Sequence, residues 1–157
     1  MHAVVDSPLG PLRVTCSDGA VVGIDYLPRK TRAPKPASPF LDHVAAQLAA
    51  YFRDPATGFD LPLVPKGTVF QQRVWQALRD IPAGTTRSYG ELARELGTSA
   101  RAVGGACAAN PIPIVIPCHR VVSARGVGGY DGHTSGPVLA RKIWLLEHEG
   151  VRCASTI

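Results

Sequence analysis

Cys118 and His119 stand side by side in the second half of the chain, and Arg120 follows them. A cysteine reacts as its thiolate, so a reactive cysteine needs a base or a positive field beside it. The surrounding stretch, residues 112–122, is apolar and β-branched, which favours a buried extended backbone where polar groups are costly. Buried structural cysteines are also frequent. On this motif alone, a reactive and a structural cysteine therefore both stay open.

The spacing of the pair limits how it could work. Successive side chains of an extended backbone point to opposite faces, so Cys118 and His119 could cooperate only if the backbone turns or a water molecule connects them. A carboxylate that could orient the imidazole is available near the C-terminus, at Glu149 or, less favourably, at Glu147. The residues thus allow a nucleophile, a base and an orienting acid.

Composition limits the class of protein. The chain has 157 residues, of which 45% are hydrophobic, so it can form one ordinary domain or two small ones. No leader and no apolar run of roughly 20 residues is present, and we expect a cytoplasmic protein without membrane contact. The 4 cysteines form no CxxC pair, which favours separate thiols over a disulfide or a zinc site.

Positive charge is concentrated in the second part of the chain. Residues 1–65 carry six Lys/Arg and six Asp/Glu, whereas residues 66–157 carry eleven and six. An anionic partner, nucleic acid above all, is therefore expected at the second part. A basic surface without a partner fits the charge equally well.

The elements that would position these residues form an α+β chain. Three apolar runs separated by turn residues, at 2–6, 12–15 and 20–27, predict a small antiparallel sheet. Ser38 before Pro39 begins an amphipathic helix. A mainly helical part follows, whose first helix is capped by Thr68. The last helix, at 137–148, is predicted to direct four residues inward: Leu139, Ile143, Trp144 and Leu146.

Two short helices in this second part form a helix-turn-helix pattern. The first begins with a capping box at Ser88 and ends at Gly97, and the second, at 100–109, is capped by Thr98 or Ser99. Small residues fill the second helix, which favours close contact with another backbone, either a neighbouring helix or a nucleic-acid groove.

Many motifs occur in an order that resembles the O6-alkylguanine-DNA alkyltransferases, a family of DNA repair proteins. They are Asp-Ser-Pro-Leu-Gly at 6–10, Phe-Gln-Gln-Arg-Val-Trp at 70–75, Ile-Pro-Ala-Gly at 81–84, Ser-Tyr-Gly at 88–90, Arg-Ala-Val-Gly-Gly-Ala at 101–106, Asn-Pro at 110–111, Pro-Cys-His-Arg-Val at 117–121, Gly-Tyr at 129–130 and Trp-Leu-Leu-Glu-His-Glu-Gly at 144–150. The resemblance covers residues 66–151 and the start of the chain.

The resemblance implies an N-terminal ribonuclease H-like structural domain at 1–65 and a DNA-binding, alkyl-accepting domain at 66–157. It implies direct-reversal repair, in which the alkyl group of O6-alkylguanine moves irreversibly to Cys118 in a single turnover. O4-alkylthymine is a second candidate substrate. The implied partner is double-stranded DNA, bound through the minor groove by a monomer that flips the damaged base. No cofactor and no metal are expected.

The resemblance also implies residue roles. Cys118 is the acceptor, His119 takes its proton through a water, Glu149 orients His119, and Asn110 holds the active-site turn. Contacts to the flipped base are expected from Tyr89, Val121, Tyr130 and Asp131. Contacts to DNA are expected from Arg101, which would fill the place of the flipped base, and from Ser88, Ala102, Gly104, Gly105 and Arg120.

Two rival functions and one departure accompany this interpretation. A binding-only relative would grip alkylated DNA without reacting, but such proteins carry tryptophan where this chain has Cys118. A Cys-His-Glu hydrolase on an unrelated fold would turn over many times. The segment 131–143 is longer than the family pattern, which predicts a longer pocket rim.

Overall fold

The computed structural model describes residues 1–31, 38–124, 126–129 and 136–153. The chain divides into two compact units, one of Met1–Lys66 with Pro111–Pro113, the other of Gly67–Asn110 with Ile114–Ile157. A small antiparallel sheet and five helices confirm the predicted α+β class. In the described ranges, no helix is both long and apolar enough to cross a membrane.

The first unit contains a three-stranded antiparallel sheet and one helix. The strands β1 (His2–Val5), β2 (Leu12–Ser17) and β3 (Ala20–Tyr26) lie in chain order, and α1 (Pro39–Arg53) follows. The side chain of Ser38 accepts a hydrogen bond from the Leu41 amide, which is the predicted cap. Apolar residues from sheet and helix form the core of this unit, among them Leu12, Val14, Ile24, Val44 and Leu48.

The second unit contains α2 (Val69–Arg79), α3 (Tyr89–Leu96), α4 (Ala100–Ala108) and α5 (Gly136–His148). Capping boxes begin α2 at Thr68 and α3 at Ser88. Gly97 ends α3 with a φ of 69°, a left-handed conformation that glycine adopts without strain. Ser99, rather than Thr98, caps α4. The predicted helix-turn-helix is therefore present as α3 and α4.

The stretch before Cys118 is not extended, so that expectation was wrong. Residues 112–116 form turns, and Ile114 has a φ of 74°, which is rare for a β-branched residue. The side chain of Asn110 donates to the Ile116 carbonyl at 2.8 Å. Pro113 and the flanking Pro111 and Pro117 lack the N–H that a strand ladder needs, and a side-chain amide takes up the freed carbonyl instead.

A 3₁₀ turn at Cys118–Arg120 and a two-residue strand, β5 (Val121–Val122), follow. β5 pairs in parallel with β4 (Arg87–Ser88), which leads directly into α3. No pattern in the sequence predicted this pair. It links the segment that carries Cys118 to the start of the helix-turn-helix.

The buried face of α5 also differs from the prediction. Leu139 and Leu146 are buried as expected, but Ile143 and Trp144 are only half-buried. Trp144 stacks on His148, with 4.8 Å between the ring centroids. Other buried positions of this helix are Lys142 and Leu145. The prediction failed because it selected apolar residues and passed over a lysine at the same helical spacing as Leu139 and Leu146.

Candidate active site

Cys118 lies at the base of a cavity of about 700 Å³ in the second unit. Its 3₁₀ turn buries the residue, which is 6% exposed. The described residues that line the cavity come from α3, α4, the turn at Cys118 and the following loop: Ser88, Tyr89, Gly90, Arg94, Ala100, Arg101, Gly104, Cys107, Ala108, Cys118, Ser123, Ala124 and Gly129. The nucleophile predicted from the sequence thus faces a space large enough for a nucleobase.

Behind Cys118, a histidine and an arginine share one buried carboxylate. His119 Nε2 lies 2.8 Å from Glu149 Oε2. Arg120 donates to both oxygens of Glu149, at 2.9 and 2.8 Å, and to the Ile81 carbonyl at 2.6 Å. The side chains of His119 and Glu149 are fully buried. Of the two carboxylates that the sequence offered, the structure brings Glu149 to His119 and leaves Glu147 exposed.

The electrostatics favour a neutral imidazole at His119. Burial lowers the pKa of His119, and the hydrogen bond and charge of Glu149 oppose this only in part. Because Nε2 faces Glu149, the atom left to act as a base is Nδ1. Nδ1 is buried without a hydrogen-bond partner among the described residues. A neutral imidazole with one uncommitted nitrogen can accept a proton.

Lys142 is a site residue that was not predicted from the sequence. It is fully buried, and its ammonium donates to the Val121 carbonyl at 2.6 Å, to the Gly129 carbonyl at 2.8 Å and to the Tyr89 hydroxyl at 3.5 Å. Burial lowers its pKa to about 8. Its helical spacing from Leu139 places it on the buried face of α5, but no local signal indicates the distant carbonyls that accept its hydrogen bonds. A single cation therefore connects α5, β5, α3 and the loop before residue 130.

Tyr89 is held against the same loop. Its hydroxyl donates to the Gly129 carbonyl at 3.3 Å, and burial raises its pKa. Gly128 has a φ of 78°, and a Cβ there would lie 3.0 Å from Tyr89 Cε2. Glycine is thus required both by the backbone conformation and by the close approach of the tyrosine ring.

The structure describes one of the other three predicted substrate-binding residues. Val121 is buried, and its carbonyl accepts the hydrogen bond from Lys142. Tyr130 and Asp131 lie outside the described residues, as do residues 132–135 of the longer segment at 131–143.

Four of the predicted DNA-contacting residues lie on α4, and Ser88 is the cap of α3. Ser88, Arg101 and Gly104 line the cavity, and Arg101 is exposed. Among the described residues, no atom lies within 4 Å of a Cβ placed on Gly104 or Gly105, apart from their own helix and neighbours. Ala102 is half-buried.

Arg120 is placed differently from the other predicted DNA-contacting residues. Its guanidinium is bound to Glu149 and to the Ile81 carbonyl, and its side chain is 11% exposed. The structure therefore places Arg120 with the buried His119–Glu149 pair behind Cys118.

Comparisons with known proteins all indicate the same family. Residues 69–151 match the family described as 6-O-methylguanine DNA methyltransferase, DNA binding domain. The methylated-DNA–protein-cysteine methyltransferase of Methanosarcina acetivorans is 39% identical over 95% of this chain and 97% of its own length. The protein of the same name from Mus musculus is 40% identical over 96% of this chain and 81% of its own length.

Solved structures agree with these relatives. A Mycobacterium tuberculosis OGT in complex with DNA is 43% identical and covers 94% of this chain and 91% of its own, with a TM-score of 0.80. The O6-methylguanine-DNA methyltransferase of Pyrococcus kodakaraensis is 30% identical over 96% of this chain and 100% of its own, with a TM-score of 0.64. Both similarities extend over nearly the whole chain.

Proposed function

Because the chain belongs to the 6-O-methylguanine DNA methyltransferase family, we propose that it repairs DNA by taking the alkyl group of O6-alkylguanine onto Cys118. The observation that carries this proposal is a cysteine at the base of a cavity, backed by a buried His119–Glu149 pair. A cysteine so placed meets only a small group that enters the cavity. A base flipped out of the duplex is such a group.

The chemistry follows from the arrangement of the pair. The thiol proton of Cys118 passes through a water to Nδ1 of His119, and Glu149 stabilises the imidazolium that forms. The thiolate then attacks the alkyl carbon, a carbon–sulfur bond forms, and the carbon–oxygen bond breaks with its electrons moving to the guanine. The guanine takes up a proton to become neutral, which balances the proton that left the thiol. The thioether is not hydrolysed, so each molecule acts once and needs no cofactor or metal.

Lys142 and Tyr89 position the base in this account. Lys142 fixes the Val121 carbonyl and the loop at Gly129, and the loop in turn holds Tyr89. A carbonyl oxygen has two lone pairs, so Val121 can still accept from the exocyclic amine of guanine. Asn110 holds the turn that leads to Cys118. Tyr130 and Asp131 remain predictions from the resemblance alone.

DNA is the partner, and α3 and α4 are the elements that meet it. The open space around Gly104 and Gly105 lets the α4 backbone approach a narrow groove, which fits the minor groove. Arg101 fills the place of the flipped base, and phosphate contacts make binding independent of sequence. We propose a monomer. A cytoplasmic address fits the four cysteines, none of which forms a disulfide, since reducing compartments preserve thiols.

The test is intact-mass measurement after incubation with a duplex that carries O6-methylguanine. We expect the protein to gain one methyl group, and Cys118→Ser to gain none while still binding the duplex. Binding without any mass gain in the wild type would support a binding-only protein instead. Release of methanol over many turnovers would support a hydrolase.

A further inference from the structure

The cavity is lined by two positively charged side chains in the described part of the chain, and the proposed function assigns a role to one of them. Among its described lining residues, Arg94 and Arg101 are the charged ones, and no aspartate or glutamate is present. Arg101 has a role as the residue that replaces the flipped base. Guanine itself is neutral and needs no cation. Arg94 is therefore without a role so far.

Arg94 lies on α3 with its guanidinium directed toward the start of the helix. Gly90 precedes it by one helical turn, and a Cβ placed on Gly90 would lie 3.6 Å from Arg94 Nη1. Ser88, Tyr89 and Gly90 line the same cavity. The guanidinium thus lies beside Gly90, the residue that follows Tyr89, and its side chain is exposed.

Neighbouring arginines of this unit have partners within the protein, whereas Arg94 has no carboxylate within 4 Å in the described part of the chain. Arg87 pairs with Glu95, and Arg73 donates to the Leu96 carbonyl. Glu91 lies one helical turn before Arg94, and its carboxylate accepts from the Ser88 amide at 3.1 Å as part of the helix cap. This hydrogen bond lowers the pKa of Glu91 most, and Arg94 adds only a smaller electrostatic contribution. The guanidinium of Arg94 is therefore available to an outside anion.

We propose that Arg94 binds the backbone phosphate adjoining the flipped nucleotide. The proposal rests on the proposed function, since it needs a nucleotide in the cavity. A flipped nucleotide brings its phosphates to the cavity entrance, and they are its charged groups. A guanidinium can donate two parallel hydrogen bonds to phosphate oxygens, which fixes the nucleotide as well as attracting it.

Variants at Arg94 separate phosphate binding from chemistry at Cys118. Arg94→Gln removes the charge at similar size, Arg94→Lys keeps the charge, and Arg79→Gln removes an exposed arginine outside the cavity lining. The substrates are a duplex with O6-methylguanine and the free base O6-benzylguanine, which has no phosphate.

With the duplex, Arg94→Gln is expected to react about tenfold more slowly or worse, as for loss of a charged hydrogen bond. Arg94→Lys is expected to recover part of the rate, and Arg79→Gln to stay within about twofold of the wild type. With the free base, all three are expected to match the wild type. In Arg94→Gln, the slope of the logarithm of the duplex binding constant against the logarithm of the salt concentration should fall in magnitude by about one.

A duplex with a neutral methylphosphonate next to the lesion identifies the phosphate. We expect this change to slow the wild type but to add no further loss to Arg94→Gln, because the same contact is already missing. Three results would each overturn the proposal. The first is an equal loss of duplex reaction rate in Arg94→Gln and Arg79→Gln, and the second is an additive loss when Arg94→Gln is combined with the methylphosphonate duplex. The third is a loss of rate for Arg94→Gln with the free base. Failure of the wild type to react with either substrate would instead refute the proposed function.

Discussion

Behind Cys118 the ionisable side chains are largely buried and bound to protein groups, whereas the ionisable side chains that line the cavity entrance are exposed. The buried cluster, which we define as His119, Arg120, Lys142 and Glu149, is connected by hydrogen bonds of 2.6 to 2.9 Å to its own members and to backbone carbonyls. The cavity mouth, which we define as Arg94, Ala100, Arg101 and Ala108, is exposed.

This difference separates two tasks. Buried charges are costly unless they are fully paired, so the buried cluster must be complete before any substrate arrives. It fixes the nucleophile, its base and the adjoining backbone. The exposed arginines of the cavity mouth retain their hydration until an anion replaces it. We therefore expect changes in the buried cluster to affect folding and chemistry, and changes at the mouth to affect DNA alone.

The largest effect is expected from Glu149→Gln. This change leaves the Arg120 charge largely buried without its carboxylate, and breaking a buried pair costs about 3–5 kcal/mol. Urea unfolding should show this loss. Glu147→Gln, at an exposed position two residues earlier, should change the free energy of unfolding by less than about 0.5 kcal/mol. If both variants lose a similar free energy of unfolding, the buried cluster does not stabilise this unit.

Lys142→Met is expected to change how stability depends on pH. The pKa of Lys142 is about 8 in the folded protein against an ordinary lysine value of 10.5, so between these values the unfolded chain binds more protons at this group. Its contribution to the free energy of unfolding therefore rises with pH across that window, by roughly 3 kcal/mol in total. Urea unfolding at several pH values should show that the free energy of unfolding of the wild type rises with pH relative to that of Lys142→Met. A constant or shrinking difference would contradict the assignment.

The lowered pKa of His119 predicts the pH profile of alkyl transfer. A histidine with its ordinary pKa would lose its capacity as a base near pH 6.5. Because burial lowers this pKa, the rate with free O6-benzylguanine should stay level through about pH 6.5 and fall only below it. Single-turnover measurements without DNA exclude any contribution from the cavity mouth. A midpoint at or above the ordinary value would argue against a buried neutral base.

The smallest effect is expected from Gly104→Ala, next to the cavity mouth. In the described part of the chain, no atom outside its own helix and neighbours lies within 4 Å of a Cβ there, and alanine favours a helix over glycine by about 0.5–1 kcal/mol. Thermal unfolding should show a slightly more stable protein. Its reaction with duplex should nevertheless slow, because the added methyl group separates α4 from the DNA backbone, while reaction with the free base stays unchanged. A destabilised variant would show that the site is packed.

Local signals in the sequence were sufficient to predict the helices of the second unit. Ser88 and Gly97 mark the ends of α3 through hydrogen bonds and backbone conformations that involve only neighbouring residues. The α+β class and the helix-turn-helix followed from such signals. The identity of the cysteine as an alkyl acceptor came from the resemblance, because adjacency alone left the nucleophile and its base on opposite faces.

Features that depend on distant residues could not be predicted in this way. Lys142 is buried because carbonyls of two other segments accept its hydrogen bonds, and a polar residue in a helix otherwise suggests a solvent-facing position. Trp75 is buried because its indole donates to the Ala106 carbonyl, 31 residues away. The turns before Cys118 depend on Asn110, whose side chain replaces a strand partner. In each case the deciding partner is remote in sequence or replaces a backbone hydrogen bond.

The most direct test of single-use acceptance at Cys118 is to count and locate transferred methyl groups. Protein is incubated with an excess of duplex that carries isotopically labelled O6-methylguanine, and peptides are mapped by mass spectrometry. We predict that transfer stops at one methyl group per chain, and that this group lies on Cys118 and on none of Cys16, Cys107 and Cys153. Transfer beyond one equivalent, or a methyl group on another residue, would contradict the account.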